Sequence, residues 1–332
     1  MGRVVVTGGA GFVGGHLVRR LLRSADTEVV VLDLPGRRPA QWLEGGSAAR
    51  VDYLAGDVRD AQTVARALRG AEAVYHLAAR ADGTHAGFET NVIGTVNVLE
   101  AAARYRVGRV VFASTYEVYG EPIDLPVDES HPLLALSCYG ASKAAAEAYC
   151  RAYRREHGLD SVVLRLSEVY GPYDAAGPIP AWLSGAARGQ NVEVRGDRTA
   201  DFIWVGHVVD ALVRAAGLEA RVPTINVGSG TGVRLADAAR RAVAAVGGQS
   251  HVRVLPEGIG EDGRGPRPAR FVADVRRMRE LLRIEPPLDP LAQLESLAAE
   301  GDGALGDVVP AGPVELAPAV GLRALSALRG VN

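Results

Sequence analysis

The first 170 residues set short apolar runs between stretches of helical spacing, and the runs carry almost no polar alternation. Strands are expected over 4–6, 28–32, 51–54, 73–77, 110–113 and 161–166, and helices over 14–23, 61–69, 91–105 and 139–157. A strand that is apolar on both faces must be covered on both faces. Such strands, alternating with helices, fold into a parallel sheet with helices on either side, a doubly wound α/β fold. After Gly171 the pattern loosens. Helices are expected over 181–188, 235–246 and 276–282, and strands over 192–194 and 224–227. The chain therefore reads as a first domain over 1–170 with a return segment over 201–228, and a smaller α/β domain over 171–300. A loosely ordered tail rich in Gly, Ala and Pro covers 301–332, with a weak helix near 320–328.

The first strand runs into Gly8-Gly9-Ala10-Gly11-Phe12-Val13-Gly14 and then a helix. Glycines let the backbone turn tightly and approach a ligand, and the helix start offers N–H groups and a positive dipole end. Between strand and helix, this spacing reads as the pyrophosphate seat of a Rossmann-like fold. The second strand ends in Asp33, 19 residues after Gly14. A carboxylate there accepts from ribose hydroxyls and repels a 2′-phosphate, which favours NAD over NADP, while Arg37-Arg38 nearby offer charge for that phosphate. Asp57-Val58 follows the third strand and has two readings: the adenine edge, or an N-cap for the helix beginning near Ala61.

Lys and Arg total 37, and only one of them is a lysine, Lys143. It closes Tyr139-Gly140-Ala141-Ser142-Lys143 at the start of an Ala-rich helix, where a spacing of four puts both side chains on one face. An ammonium beside a phenol lowers the phenol's pKa and makes it a usable base near neutrality. Arginine, with a bulkier fork shaped for bidentate partners, serves less well. Upstream, Ser114-Thr115-Tyr116-Glu117 puts hydroxyls and a carboxylate at the carboxyl edge of the sheet, where such folds bind ligands.

Other classes are disfavoured. A net charge of −2 gives no basic face for nucleic acid. No apolar run approaches the ~20 residues that span a bilayer. The N-terminus enters a strand at once, leaving no room for a signal peptide, so a cytoplasmic location is expected. Cys138 and Cys150 make no disulfide framework, and no His pair has metal-ligand spacing. Cys138 and His76 read as packing residues, and Asn91 as a residue that orders backbone or water.

Further motifs are His76-Leu77-Ala78-Ala79, Asn91-Val92-x-Gly94-Thr95-x-Asn97-Val98-Leu99-Glu100, Tyr170-Gly171-Pro172, Asp201-Phe202 and Asn226-Val227-Gly228. Together with the glycine turn and the Tyr139 pair, they resemble the extended short-chain dehydrogenase/reductases of the nucleotide-sugar epimerase/dehydratase family, from about residue 3 to about 285. The resemblance implies NAD held by Gly8, Gly11, Phe12, Val13, Asp33, Asp57, Val58, Leu77, Ala78, Ala79, Tyr139 and Lys143. It implies that Tyr139, assisted by Thr115, takes the proton of a sugar C4 hydroxyl while hydride passes to NAD. It also implies a homodimer through the helices that begin at Asn91 and Tyr139.

Thr115-Tyr116-Glu117 is most similar to the Thr-Ser-Glu of UDP-glucuronate decarboxylases, with all three residues as catalytic candidates. The leading expectation is conversion of UDP-glucuronate to UDP-xylose or UDP-4-keto-xylose. Dehydratases of the 4,6 type carry an Asp where Tyr116 stands, and simple C4 epimerases usually lack the Glu. A 4,6- or 5,6-dehydratase, and then a C4 epimerase, are the alternatives. An NAD-binding protein without turnover is a further one, although Thr115, Tyr139 and Lys143 are all present. The substrate-side candidates are Glu168, Arg195, Arg198, Arg264 and Arg270, with Arg267 among the latter. Three departures stand out: Glu168 where many members carry Asn, Ala200 where many carry Arg, and His207 where an Asp is usual.

Overall fold

A computed structural model describes residues 2–36, 51–175, 177–219, 223–256 and 265–299. The tail over 301–332, Arg37, Arg38 and Arg264 lie outside the described residues.

The chain begins with β1 (Arg3–Thr7), α1 (Phe12–Leu21), β2 (Glu28–Asp33), β3 (Val51–Ala55), α2 (Ala61–Leu68) and β4 (Ala73–His76). Then come α3 (His85–Phe88), a π turn over Glu89–Ile93, α4 (Gly94–Arg104), β5 (Arg109–Thr115), a 3-10 turn over Tyr116–Val118, α5 (Cys138–His157), β6 (Ser161–Leu166) and β7 (Glu168–Tyr170). The remainder holds α6 (Pro178–Ala187), β8 (Val192–Arg195), β9 (Thr199–Trp204), α7 (Val205–Ala216), β10 (Thr224–Val227), β11 (Gly232–Arg234), α8 (Leu235–Ala245), β12 (Val252–Leu255), α9 (Arg276–Leu282) and α10 (Leu294–Ala299).

Seven strands form one parallel sheet in the order β10-β6-β5-β4-β1-β2-β3. Its burial explains the unbroken apolar runs. Val4 and Val6 of β1 join one core with Leu17 and Leu21 of α1 and with Val208 and Leu212 of α7. Val5 between them joins the other core, with Val64 of α2, Val98 of α4 and Ala146 of α5. Both faces are therefore covered, and the strand order reverses between β1 and β4. Ligands of doubly wound sheets bind beyond the carboxyl ends of the strands at such a reversal. Two smaller sheets, β11-β9-β7 and β12-β8, lie in the later part of the chain.

Two local differences from the sequence expectation have physical causes. The helix expected over 91–105 is a π turn followed by α4. The wider turn accompanies an inward Asn91, whose amide bonds the Arg80 backbone and Ser142 Oγ. Helix α7 has no counterpart in the sequence expectation. No side-chain cap marks its start, and its one sequence signal is the apolar stripe of Val205, Val208, Val209 and Leu212 opposite His207, Asp210 and Arg214.

Candidate functional site

The glycine turn follows β1 at the reversal. Gly8 has φ +71°, and a Cβ there would lie 2.7 Å from the Ala78 amide nitrogen. A Cβ at Gly14 would lie 2.1 Å from the Gly8 carbonyl oxygen. Both positions thus require glycine, one for its conformation and both for space. No side chain caps α1 and no acidic residue stands in its first turn, so the amides around Phe12 and Val13 present an open helix start. The Asp33 carboxylate lies beside them, accepting from the amides of Ala10 and Leu34 (2.8 Å each). Leu77 and Ala78, beyond β4, donate their amides to the backbone oxygen and Oγ1 of Thr7 (3.1 and 3.3 Å). Ala79 is followed by Arg80, whose amide nitrogen and carbonyl oxygen Asn91 binds at 2.9 and 2.8 Å. This cradle, which a Cβ would fill, fits a dinucleotide pyrophosphate with a ribose at Asp33.

Asp57 does not take the capping part that its place in the sequence allows. The N-cap of α2 is Asp60, which accepts from the Gln62 amide, while Asp57 is clasped by Arg59 (2.7 and 2.9 Å). That guanidinium holds the Asp57 carboxyl below its ordinary range. Val58 is buried, with its carbonyl fixed by Asn97 (2.9 Å). His76 is buried between Thr7 and Thr95, at 2.6 and 3.0 Å, and burial lowers its pKa to about 3. It packs as a neutral ring.

Thr115 ends β5, and Tyr139 stands in the first turn of α5. Their junction is tightly fixed. Ser137 Oγ caps α5 by accepting from the Gly140 amide (3.0 Å), and donates to Glu117 Oε2 (3.2 Å). A Cβ on Gly140 would come within 2.6 Å of the Glu117 carbonyl oxygen, so helix and turn touch backbone to backbone. Thr115 Oγ1 accepts from the Glu117 amide (3.2 Å), and Glu117 is itself buried.

One turn along α5, Lys143 is only 2% exposed, with Nζ 4.2 Å from the centre of the Phe112 ring. Burial pushes its pKa down to about 8, against the pull of the Glu147 charge. Glu147, a further turn on, accepts from Ser114 (2.6 Å) and from Arg165 (2.7 Å). Arg165 in turn donates to the Tyr119 hydroxyl, which donates to Asn226 (2.9 and 2.6 Å). This network pins α5 to β5, β6 and β10. Glu147 and Arg165 are absent from the sequence-derived candidates. Their signals are a Glu four residues after the lysine and an Arg inside an otherwise apolar strand, which demands a buried counter-charge.

The substrate-side candidates divide. The Tyr116 hydroxyl donates to Glu168 Oε2 (3.0 Å), and its ring packs on Phe271 at 4.7 Å. Burial, with the negative charge of Glu168 and Glu117, raises the Tyr116 phenol above its ordinary value. Arg198 Nη2 donates to the same Glu168 oxygen at 2.6 Å, and both side chains are 7% exposed. Arg267 faces this group as well, within the field of Glu168, Tyr116 and Glu117. Arg195 does not reach it. Strand β8 alternates buried and exposed residues, which turns Arg195 outward with Glu193 (3.7 Å). Arg270 is exposed, and its backbone pairs with Thr199. His207 lies on α7, mostly buried, and burial lowers its pKa. Among the described residues no His/Cys/Asp/Glu group could hold a metal ion, and no helix is long and apolar enough to cross a membrane.

Residues 4–228 match the family model described as the NAD dependent epimerase/dehydratase family. A dTDP-glucose 4,6-dehydratase of Streptomyces niveus is 34% identical over 304 residues, 86% of this chain and 88% of its own length. UDP-glucuronic acid decarboxylase 3 of Arabidopsis thaliana is 29% identical over 304 residues, 86% of this chain and 84% of its own. The UDP-glucose 4-epimerase of Thermus thermophilus, solved as a complex with NAD, superposes with a TM-score of 0.78 at 30% identity, covering 90% of this chain and 98% of that one. Three different reactions are thus represented at about 30% identity.

Proposed function

The chain belongs to the NAD dependent epimerase/dehydratase family, and within it we propose a nucleotide-sugar enzyme that works by transient oxidation at the sugar C4, acting as a UDP-glucuronate decarboxylase. The observation that carries this reading is Lys143: the chain's one lysine is buried, with its pKa lowered, one helical turn from Tyr139. A buried ammonium costs stability, and beside a phenol it has a chemical use.

NAD, held by the glycine turn and Asp33, supplies the hydride acceptor. Tyr139, as phenolate, takes the proton of the C4 hydroxyl, and Thr115 orients that hydroxyl. Lys143 stabilises the phenolate by its charge and offers donors to the cofactor ribose. With the C4 hydroxyl oxidised, the C6 carboxylate of a glucuronate is β to a ketone. The C5–C6 bond then breaks, CO2 leaves, and the electron pair moves into the ketone as an enolate. A proton from water, relayed by Glu117, would reach C5, and the hydride would then go back to C4 with the Tyr139 proton on its oxygen, so that the product is lighter by CO2 alone.

Residue 116 supports decarboxylation over dehydration. Expelling a C6 hydroxyl requires an acid, and Tyr116 is a phenol raised above its ordinary pKa whose proton already goes to Glu168. Loss of CO2 needs no such acid. A second reading, C4 epimerisation, draws support from Glu168, which neutralises Arg198 and leaves less net positive charge for a sugar carboxylate. The test is incubation with UDP-glucuronate, UDP-glucose, UDP-N-acetylglucosamine and dTDP-glucose, read by mass spectrometry and NMR. Decarboxylation removes the mass of CO2, dehydration the mass of water, and epimerisation changes only the NMR spectrum. If none of the four is altered, the reading fails.

The same reading takes the protein as a homodimer through α4 and α5. Phe88, Ile93 and Tyr149 are 47%, 43% and 44% exposed on and beside these helices. A monomer in light scattering would exclude it.

A further inference from the structure

Glu168 and Arg198 make an unusual pair. Both are more than nine-tenths buried, and one oxygen, Glu168 Oε2, receives both the Tyr116 hydroxyl and Arg198 Nη2. That leaves the guanidinium half used. Arg198 Nη1 is buried and has no hydrogen-bond partner among the described residues. An unsatisfied donor on a buried cation is costly, and it points to an acceptor that arrives from elsewhere. Its surroundings say where from. Arg198 stands within the field of Tyr116 and Glu117, which directly follow Thr115 at the reaction edge of β5. The charges around it are balanced: carboxylates at Glu117 and Glu168 face guanidiniums at Arg198 and Arg267.

We propose that Arg198 and Glu168 form a charge-limited anion seat, in which Arg198 Nη1 takes one anionic oxygen of the substrate while Glu168 aims the guanidinium and limits how strongly anions are held. Glu168 is thus a positioning and specificity-determining residue. It acts in two opposed ways. As an acceptor it fixes the direction of the fork, and as a negative charge it repels the incoming anion. A glutamine keeps the first action and removes the second. The proposal rests on the nucleotide-sugar reading, and the seat's ligand is a phosphate or a carboxylate oxygen of that substrate.

The experiment is calorimetric titration of the NAD-loaded protein with uridine, UDP, UDP-glucose and UDP-glucuronate. Arg198→Gln should weaken the anionic ligands by about 10- to 100-fold and leave uridine unchanged. Glu168→Gln should tighten the same ligands by about 3- to 10-fold, a gain that a merely structural role would not produce. An effect on UDP, UDP-glucose and UDP-glucuronate alike assigns the seat to phosphate. An effect on UDP-glucuronate alone assigns it to the sugar carboxylate. If Arg198→Gln fails to fold with Glu168 left charged, the Glu168→Gln/Arg198→Gln pair carries the loss arm. Anionic ligands unaffected by loss of Arg198, or weakened by Glu168→Gln, overturn the seat. Wild-type protein that binds none of the four overturns the nucleotide-sugar reading itself, and the seat with it.

Discussion

Lys143 buries a charge, and replacing it with methionine should separate what that charge costs from what it does. Its pKa lies at about 8 against 10.5 for a free lysine. At about 1.4 kcal/mol for each tenfold change in proton affinity, the fold loses about 3 kcal/mol by holding the ammonium. The Phe112 ring, 4.2 Å from Nζ, is one of the contacts whose balance that value expresses. Lys143→Met keeps the chain length and removes the charge. With bound nucleotide stripped, it should be about 3 kcal/mol more stable to unfolding than wild type at pH 7. The folded state binds fewer protons than the unfolded state between about 8 and 10.5. The cost is therefore fully present below the lower value and fades as pH rises towards the upper one. The advantage of the methionine should shrink by about 1 kcal/mol or more between pH 7 and about 9.5. Urea titration of both proteins at the two pH values measures it, and turnover should be lost throughout. A variant less stable than wild type at pH 7, or a difference that ignores pH, would refute the assignment of Lys143 as a residue kept for chemistry at the expense of stability.

Lys143→Arg should keep the charge and the fold yet lose most activity, read as turnover beside an unchanged circular dichroism spectrum; near-normal turnover would leave the lysine without a chemical reason. Gly14→Ala, whose Cβ would meet the Gly8 carbonyl at 2.1 Å, should distort the turn and abolish NAD binding in calorimetry. Ser137→Ala removes the cap of α5 and the donor to Glu117. It should cost about 1 kcal/mol in denaturant and lower kcat more than it raises KM.

What is legible in the sequence is what local pattern controls. Apolar runs without alternation mark the sheet strands, because each is buried on both faces. The glycine turn is readable because Gly8 and Gly14 answer to a single crowded backbone. Tyr139 and Lys143 are readable because four residues of helix bring them to one face. The substrate side is not, because no local pattern announces a pair 30 residues apart in sequence. Glu168 and Arg198 meet because β7 lies beside β9, which follows Arg198 directly. Arginines exposed at Arg195 and buried at Arg198 look alike in a chain with so many of them. The Val-Glu-Val-Arg alternation of β8 itself turns Arg195 outward, whereas Arg198 lies between β8 and β9, where no periodic pattern marks its burial. The π turn at Asn91 is hidden for a similar reason: its partners, Arg80 and Ser142, come from two other segments.

Oxidation at C4 by the Tyr139 site would be visible in stopped-flow absorbance of the nicotinamide. NAD-loaded protein is mixed with UDP-glucuronate carrying hydrogen or deuterium at C4. Transient reduced nicotinamide is expected, formed several-fold more slowly with deuterium, absent in Tyr139→Phe, and followed by a product lighter by CO2. Product formed without reduced nicotinamide, and at the same rate with either isotope, would contradict it.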